Sequence, residues 1–292
     1  MQNRVKIIAN PISGRGRSRL LAERLRAELA ARGMNAEVSF TRRKGDAAKA
    51  AAQTSDDFAA ACAVGGDGTV NEVLNGIAGR NLHLAILPAG LSNVVAAELG
   101  IPRDPAAVAQ AIAGRSTAAV DLCLADGRYF IAMAGAGWDA HVVHSIARSR
   151  RSPLGYAGYI LPIARSLLLY DFPAMEVVAD GVPVSREAGL VVLGNVRRYG
   201  GPFSITSRAD FADGCLDAYL VRRAHAVKVL SLYLGALLGD HTRHGGAMYL
   251  RGKKFELTGP TRVPVHIDGE AAGYLPRTFE TTGIKQLVLV PR

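Results

Sequence analysis

Cysteine is scarce in this sequence, and neither a paired cysteine motif nor a tandem repeat is present. The three cysteines, Cys62, Cys123 and Cys215, are odd in number, widely separated and outside any CxxC pattern. This spacing excludes a disulfide framework and a zinc site built on cysteine pairs. We expect all three to be buried apolar side chains.

A long uninterrupted apolar run is also missing. The stretch Leu154–Tyr170 contains Pro162 and Arg165, and Val229–Gly239 is too short, so neither is expected to span a membrane, although both can touch a bilayer. The first apolar run is too short for the core of a secretory signal, and we expect a cytoplasmic protein. With 49% hydrophobic residues over 292 positions, the chain can build one large or two ordinary domains.

Acidic residues are outnumbered by basic ones, and the net charge is +10. Such a balance favours an anionic partner, which can be nucleic acid, a polyphosphate ligand or an acidic membrane leaflet. Aromatic residues make up only 6% of the chain and are not interleaved with the basic residues, which argues against nucleic acid. On this evidence, peripheral contact with an anionic membrane surface and a solvated basic surface without a specific partner both remain open.

The first part of the chain alternates short apolar runs with helical patterns. Strand-like runs such as "RVKIIAN", "FAAACAVGG" and "HLAILPAG" are separated by amphipathic segments such as "SRLLAERLRAELAARG". This alternation predicts an α/β domain over residues 1–121, with a parallel sheet and helices on both faces. Ligands of such sheets bind beyond the carboxyl ends of the strands.

After Asp121 the pattern changes to short, alternating or β-branched runs, which predict a mostly antiparallel β domain over residues 122–292. This prediction includes the option that the last strand returns to the first domain. We expect a cleft between the domains. Helices are expected around Ala226–Gly239 and within Gly155–Tyr170. Four Asp-Gly dipeptides predict hairpin turns, because both residue types tolerate positive φ: Asp126-Gly127, Asp180-Gly181, Asp213-Gly214 and Asp268-Gly269.

The segment "VGGDGTVNEVLNG", Val64–Gly76, combines a strand end, a glycine turn and a helix start. Glycines at such a point let backbone N–H groups approach an oxyanion closely. Thr69 and Glu72 fit a capping box, so a capped turn that binds nothing is the competing interpretation. Asp67 favours the phosphate interpretation, because a carboxylate among phosphate-binding amides indicates a magnesium ion between the two.

Two more glycine loops follow predicted strands. The loop "ANPISGRGRSR" has Arg19 where a dinucleotide fingerprint requires its third glycine, yet it offers Ser13, Gly14 and Gly16 before a helix. The loop "PAGLSN" ends another strand and opens another helix. Three such loops at one end of a parallel sheet indicate a phosphate site more strongly than any one of them.

Together these segments resemble the motif series of the diacylglycerol kinase and sphingosine kinase family of lipid kinases. The motifs are, in order, "NPISGRG", "GGDGTVNEVLNG", "LPAGLSNVVAAELGIP", "VDL", "GAGWDA", "ADGCLD" and "IDGE", and they span nearly the whole chain. The series is similar to that of short bacterial members, which have a catalytic domain followed by a β-sandwich. NAD kinases share GGDGT, but they are expected to carry a second motif rich in serine, threonine and glycine, which this chain lacks.

The resemblance implies an ATP- and Mg²⁺-dependent lipid kinase that phosphorylates a hydroxyl of diacylglycerol or of a sphingoid or ceramide-like lipid. Glu270 would be the general base, Asp67 would lie at the magnesium-phosphate end, and Arg15, Arg19 and Asp121 would form a polar network. A structural magnesium site would involve Asp213 with main-chain oxygens of Asp210 and Cys215. ATP would be bound by Asn10, Pro11, Ser13, Gly14, Thr41, Gly65, Gly66, Asp67, Gly68, Thr69, Glu72, Gly90 and Ser92.

The chain departs from the family pattern at its third glycine loop. Where many diacylglycerol kinases read GT-x-N-D, it has Leu91 in place of the threonine and Val94 in place of the acid. These two departures make a non-catalytic nucleotide-binding regulator one alternative, and an NAD kinase, whose family shares GGDGT, is the other. Sphingosine, ceramide and long-chain alcohols remain possible acceptors. A homodimer is a further expectation, because the β domain is predicted to have exposed strand edges.

Histidine pairs three residues apart occur twice, at His141 and His144 and at His241 and His244. Such a spacing places both rings of a pair on one helix face, but no third ligand at metal spacing accompanies either pair. We interpret them as surface or hydrogen-bonded histidines.

Overall fold

The computed structural model describes residues 3–148, 157–200, 203–238 and 247–291. The chain divides into two compact units, and each is described by itself. Unit 1 comprises Met1–Leu122, Arg128–Ile131 and Gly283–Arg292, and unit 2 comprises Cys123–Gly127 and Ala132–Thr282.

The helices and strands have the following bounds in chain order: β1 Arg4–Ala9, α1 Arg17–Ala30, β2 Asn35–Phe40, α2 Asp46–Ala52, β3 Phe58–Gly65, α3 Asp67–Ile77, β4 His83–Pro88, α4 Val94–Glu98, α5 Pro105–Gly114, β5 Thr117–Ala125, β6 Arg128–Phe130, β7 Met133–Gly137, α6 Trp138–Arg148, α7 Ala157–Leu169, β8 Met175–Ala179, β9 Val182–Gly194, β10 Leu216–Arg222, α8 Ala226–Leu238, β11 Ala247–Gly252, β12 Lys254–Thr258, β13 Pro264–Ile267, β14 Glu270–Tyr274 and β15 Arg277–Leu289.

Unit 1 is the predicted α/β domain. Strands β2, β1, β3 and β4 pair in that order and are all parallel. Every residue of β3 is buried, as expected for a central strand of a parallel sheet that is covered on both faces. The end of β15 extends this sheet, since Val288 pairs with Leu84 of β4 in parallel orientation.

Among the described helices of unit 1, α5 is capped by the side chain of its own N-cap residue. At α5, the carboxylate of Asp104 accepts hydrogen bonds from the backbone N–H groups of Ala106 and Ala107, and Pro105 occupies the first helical position. Helix α1 instead follows Gly16, which has φ +86°. Its buried residues are spaced three or four apart, which gives the amphipathic pattern that the sequence predicts: Ser18, Ala22, Leu25 and Leu29.

Unit 2 is mostly antiparallel β structure, as predicted. Its strands follow the order β14, β13, β7, β9, β8, β12 and β15, and β10 pairs with both β9 and β11. Each of these pairings is antiparallel. Residues 190–193 of β9 are buried without alternation, so both faces of this strand are covered.

Three of the Asp-Gly dipeptides form two-residue turns between paired strands, and the first of them, Asp126-Gly127, joins β5 to β6. Asp180-Gly181 joins β8 to β9 and Asp268-Gly269 joins β13 to β14, with positive φ at both residues of each turn. Asp126-Gly127 also has positive φ at both residues. The hairpin prediction is wrong for Asp213-Gly214, where only the glycine has positive φ. There the Asp213 carboxylate accepts a hydrogen bond from the Cys215 N–H and forms a local turn before β10.

Three helices of unit 2 are described, whereas the sequence predicted two. Helices α7 and α8 lie where helices were expected, and Gly155 lies outside the described residues. The missed helix, α6, begins at Trp138 inside "GAGWDA", directly after Gly137 with φ +112°. Within the described part of the chain, no helix is long and apolar enough to cross a membrane.

The three cysteines, all within the described residues, differ in burial. Cys62 and Cys123 are buried, as expected, and burial raises the pKa of the Cys62 thiol to about 12. Cys215 is only half-buried, so the prediction is wrong there, because this residue follows the surface turn at Asp213.

Candidate active site

The three glycine loops of unit 1 touch one another beyond the ends of β1, β3 and β4. A Cβ atom added to Gly14 would lie 2.4 Å from the carbonyl oxygen of Ala89, and one added to Gly90 would lie 2.5 Å from the Cα of Gly66. The Ala89 N–H also donates to the Gly65 carbonyl over 2.8 Å. Glycine is needed at Gly14 and Gly90 because backbone packs directly against backbone.

The first loop, Asn10–Gly16, folds around its own polar groups. The Asn10 side-chain oxygen accepts a hydrogen bond from the Ile12 N–H, and the Ser13 carbonyl accepts hydrogen bonds from the Gly16 N–H and from the Ser18 hydroxyl. The Asn10 N–H donates to the Val64 carbonyl and so ties this loop to the end of β3. The loop is therefore a preformed turn in which Pro11, Ser13 and Gly14 are half-buried.

Asp67 links the second and third glycine loops. It is the first residue of α3, after Gly66, and its carboxylate accepts a 2.7 Å hydrogen bond from the backbone N–H of Val94. A negative charge is favourable at the first turn of a helix. Asp67, an acid among glycines in the sequence, thus has a structural partner. The partner is a backbone N–H group, which cannot be recognised from the pattern of side chains along the sequence.

The capping box predicted at Thr69 and Glu72 is wrong. Helix α3 begins two residues before Thr69, and the Thr69 side chain packs against Gly65, whose added Cβ would lie 2.4 Å from the Thr69 Oγ1. The Glu72 carboxylate instead accepts hydrogen bonds from the N–H groups of Gly45 and Ala47, at 2.9 and 3.1 Å. Glu72 therefore caps α2, a neighbouring helix that has no side-chain cap of its own at Gly45.

Replacing Glu72 with alanine is expected to lower the free energy of unfolding by about 1–2 kcal/mol, because two N–H groups at the start of α2 lose their acceptor. Chemical denaturation measures this change. Glu23→Ala is the matched control, because Glu23 pairs with Arg26 on the exposed side of α1. Equal effects of the two substitutions would contradict the assigned cap.

The third loop is closed by Asn93. Its side-chain amide donates to the Gly90 carbonyl over 2.7 Å and accepts from the Gly90 N–H over 3.0 Å, while its backbone adopts φ +48°. Arg103 donates to the carbonyls of Gly90 and Leu91. Ser92 is half-buried and Leu91 is half-exposed, whereas Val94, which replaces the family acid, is buried.

The remaining residues predicted for nucleotide binding lie on the same unit. Gly68 is half-buried in the first turn of α3, and the Thr41 N–H donates to the Ala9 carbonyl at the end of β1. Arg15, Arg19 and Asp121, in contrast, have separate surroundings. Arg15 is exposed, Arg19 lies over the ring of Phe40, and the buried Asp121 carboxylate is 3.3 Å from the Lys285 Nζ. These contacts do not assemble the predicted polar network.

In unit 2, Glu270 is held by a rigid hairpin. It is the half-buried first residue of β14 and pairs with Ile267 across the Asp268-Gly269 turn. One carboxylate oxygen of Asp268 accepts hydrogen bonds from the N–H groups of Ala132 and Met133, both at 3.0 Å. This buried anchor fixes the turn before Glu270, and it was not recognised from the sequence, because its partners lie 135 and 136 residues away.

A second buried polar group in unit 2 was also missed. The Asp139 Oδ2 accepts a 2.8 Å hydrogen bond from the Tyr199 hydroxyl and lies 3.1 Å from the His266 Nε2. Burial, together with the nearby Asp139 charge, raises the pKa of Tyr199 well above its usual value. Gly135 permits the arrangement, because a Cβ there would lie 2.4 Å from the Asp139 Oδ2. The motif "GAGWDA" was the only sequence signal.

The carboxylates of Asp210 and Asp213, at the predicted structural magnesium site, both have partners within the chain. The Asp213 carboxylate pairs with Arg251 and accepts from the Cys215 N–H, while the Asp210 carboxylate accepts from the Ala212 N–H. The magnesium site that the resemblance implies at Asp213, with main-chain oxygens of Asp210 and Cys215, stays a prediction. Among the described residues, no group of three or more His, Cys, Asp or Glu side chains is placed to hold a metal ion.

Of the two histidine pairs, only the first can be described. His144 is buried and its Nε2 lies 2.8 Å from the Val265 carbonyl, while the half-buried His141 ring packs against Tyr170. Burial and the Arg148 charge lower the pKa of His141. His241 and His244 lie outside the described residues.

Both parts of the chain match families of known proteins. Residues 4–125 match the model of the diacylglycerol kinase catalytic domain, and residues 132–289 match that of the YegS C-terminal NAD kinase beta sandwich-like domain. A diacylglycerol kinase of Bacillus subtilis is 27% identical over 280 residues, covering 94% of this chain and 92% of the relative. One of Staphylococcus saprophyticus is 28% identical over 282 residues, covering 96% and 92%.

A solved structure is similar over the same extent. The crystal structure of a diacylglycerol kinase from Bacillus anthracis superposes with a TM-score of 0.80 and 27% identity, covering 99% of this chain and 97% of that one.

Proposed function

Because the chain belongs to the diacylglycerol kinase family of lipid kinases, we propose that it transfers the γ-phosphoryl group of ATP to the free hydroxyl of diacylglycerol, with Mg²⁺ as cofactor. The α/β domain followed by a β-sandwich is the fold that the resemblance implied. The names of these relatives do not favour the NAD kinase alternative.

The convergence of three glycine loops is the observation that carries the proposal. Gly14, Gly66 and Gly90 allow backbone to lie against backbone, which brings the three loops together near the start of α1 and α3. Backbone N–H groups at helix starts bind phosphate oxygens, and phosphoryl transfer depends mainly on such positioning and on charge neutralisation. We therefore assign the ATP triphosphate to these loops.

Asp67 fits as a ligand of a nucleotide-bound magnesium ion. A carboxylate offers more lone pairs than the one that accepts the Val94 N–H, and oxygen is the donor that Mg²⁺ prefers. When bound, the ion would neutralise the charge of the phosphates. No step of the proposed reaction uses a metal at Asp213.

Glu270 is proposed as the general base, on the strength of the family resemblance and of its rigid hairpin. Its carboxylate would take the proton from the lipid hydroxyl as that oxygen bonds to the γ-phosphorus. The bond between the γ-phosphorus and the bridging oxygen then breaks, and ADP leaves. Asp268, through its two backbone hydrogen bonds, would keep Glu270 in position.

Incubation with labelled ATP, Mg²⁺ and separate samples of diacylglycerol, sphingosine, ceramide and NAD tests the function. Label in phosphatidic acid is the expected result, and label in sphingosine or ceramide phosphate would change the proposed acceptor. Formation of NADP would support the NAD kinase alternative. Tight ATP binding without transfer to any acceptor, or to a total lipid extract, would support a nucleotide-binding regulator.

Asp67→Asn separates the two roles of this side chain. The asparagine amide oxygen can still accept the Val94 N–H, so we expect an unchanged thermal unfolding midpoint. The Mg²⁺ concentration for half-maximal activity is expected to rise about tenfold, because the site loses a charged oxygen ligand. Asp46→Asn, which affects another acid at the start of a helix in unit 1, is the control. A normal magnesium dependence of Asp67→Asn would leave only the structural role.

Peripheral contact with an anionic membrane surface and a homodimer remain proposals. The net charge of +10 supports the first, since cationic surfaces are attracted to anionic lipids. Binding to vesicles that rises with anionic lipid content and falls with salt would support it.

A further inference from the structure

Helix α8 of unit 2 is apolar on both of its sides. Val229, Leu232 and Ala236 are buried in a core cluster that also contains Trp138 of α6. A second stripe of apolar residues, at spacings of three and four, is 51–70% exposed: Val227, Leu230, Leu234 and Leu237. A helix that is hydrophobic all round is normally covered on every side.

Helix α7 repeats this pattern. Its inner side contributes Leu167 to the same core cluster, with Ile163 packed against it. On its outer side, three leucines are 73–78% exposed: Leu161, Leu168 and Leu169. Their spacing of seven and eight residues places them on one face of the helix. Arg165 is exposed on that same face.

Trp138 holds the two helices on one core. Its indole N–H donates to the Ser166 hydroxyl of α7 over 3.0 Å, and its ring meets the Tyr233 ring of α8 edge-on at 5.5 Å. The exposed leucines are therefore carried by helices with a fixed inner packing, and they are not needed to form the core. We call the exposed apolar residues of these two helices the leucine faces: Leu161, Leu168 and Leu169 of α7, and Val227, Leu230, Leu234 and Leu237 of α8.

The charges on these helices favour a bilayer as the partner. The described side chains of α7 and α8 include Arg165 and Lys228, and the sequence of neither helix contains Asp or Glu. Apolar side chains flanked by cations are the pattern of helices that lie in the interface of an anionic membrane. A second copy of this chain would oppose like charges across the same faces, which is unfavourable.

We propose that the leucine faces of α7 and α8 insert into the interfacial region of an anionic bilayer. The inference rests on the proposed function to the extent that a lipid kinase must meet its substrate in a membrane. It goes further than charge attraction, because burial of apolar side chains is not screened by salt. Binding therefore has one component that salt removes and one that depends on the leucines.

Co-sedimentation of the full chain, without nucleotide, with vesicles of equal parts phosphatidylcholine and phosphatidylglycerol tests the inference. One variant combines Leu230→Ser and Leu234→Ser, and the other combines Leu161→Ser and Leu168→Ser. Each is expected to lower the vesicle partition coefficient about tenfold, including at high salt, which corresponds to about 1.4 kcal/mol. The matched control combines Leu20→Ser and Val182→Ser, which are 54% and 62% exposed elsewhere on the chain.

Thermal unfolding midpoints of all variants are expected to match the wild type, because the substituted side chains lie outside the core. Vesicle binding by both leucine variants equal to that of the control would overturn the inference. So would a wild-type dimer, seen by light scattering, that the leucine substitutions dissociate without changing vesicle binding. Failure of the wild type to phosphorylate any lipid in detergent micelles would contradict the proposed function alone, since vesicle binding is measured without catalysis.

Discussion

A Glu270→Gln variant is expected to phosphorylate lipid about 10² to 10⁴ times more slowly than the wild type, because an amide cannot accept the hydroxyl proton. Glutamine has nearly the same size as glutamate, and the Asp268 carboxylate anchors the hairpin through two backbone N–H groups. The variant should therefore keep its thermal unfolding midpoint and its affinity for ATP. Initial rates with labelled ATP, together with calorimetric ATP binding, measure both quantities.

Glu256→Gln is the control for this substitution. Glu256 lies on β12 of the same unit, where it pairs with Lys254 at the surface. We expect its turnover to match that of the wild type. Near-normal turnover of Glu270→Gln would exclude Glu270 as the general base, and a loss of activity accompanied by a lower unfolding midpoint would indicate a structural role instead.

Gly14→Ala is expected to lower the free energy of unfolding by about 2–5 kcal/mol and to abolish measurable ATP binding. Alanine at φ +61° costs about 1–2 kcal/mol, and overpacking adds about 1–3 kcal/mol, because the new methyl group would lie 2.4 Å from the Ala89 carbonyl oxygen. The third glycine loop would have to move away from the first, and the proposed phosphate site would open.

Gly16→Ala isolates the two contributions. Gly16 also has positive φ, at +86°, but a Cβ there meets no atom within 4 Å. We expect this control to lose only about 1–2 kcal/mol and to retain ATP binding. Chemical denaturation and calorimetry compare the two variants. Equal losses of stability and affinity would show that backbone conformation alone, without the close approach of the loops, explains the glycines.

Patterns of local origin were predictable from the sequence. The alternation of apolar runs and amphipathic segments correctly indicated the parallel sheet of unit 1, because a strand buried on both faces must be apolar throughout. The hairpins at Asp180-Gly181 and Asp268-Gly269 were also predictable from local sequence, because such a turn requires residues that tolerate positive φ.

Contacts between distant segments were not predictable in this way. Glu72 and Thr69 have capping-box spacing, yet Glu72 caps α2 because Gly45 and Ala47 come within hydrogen-bond distance only in the folded chain. Helix α6 was missed because glycines precede it, and its Asp139 meets Tyr199 and His266 only through the antiparallel sheet.

The sequence by itself determined the fold class, the order of the glycine loops and the family, because these depend on periodicity, turn chemistry and motif order along the chain. The tertiary structure alone decided what each motif residue contacts: Asp67 accepts a hydrogen bond from Val94, Gly14 lies against Ala89, and Arg251 neutralises Asp213. It also showed that α7 and α8 carry apolar residues beyond those their core needs. Hydrogen bonds and close packing depend on distances in space, which sequence spacing does not specify.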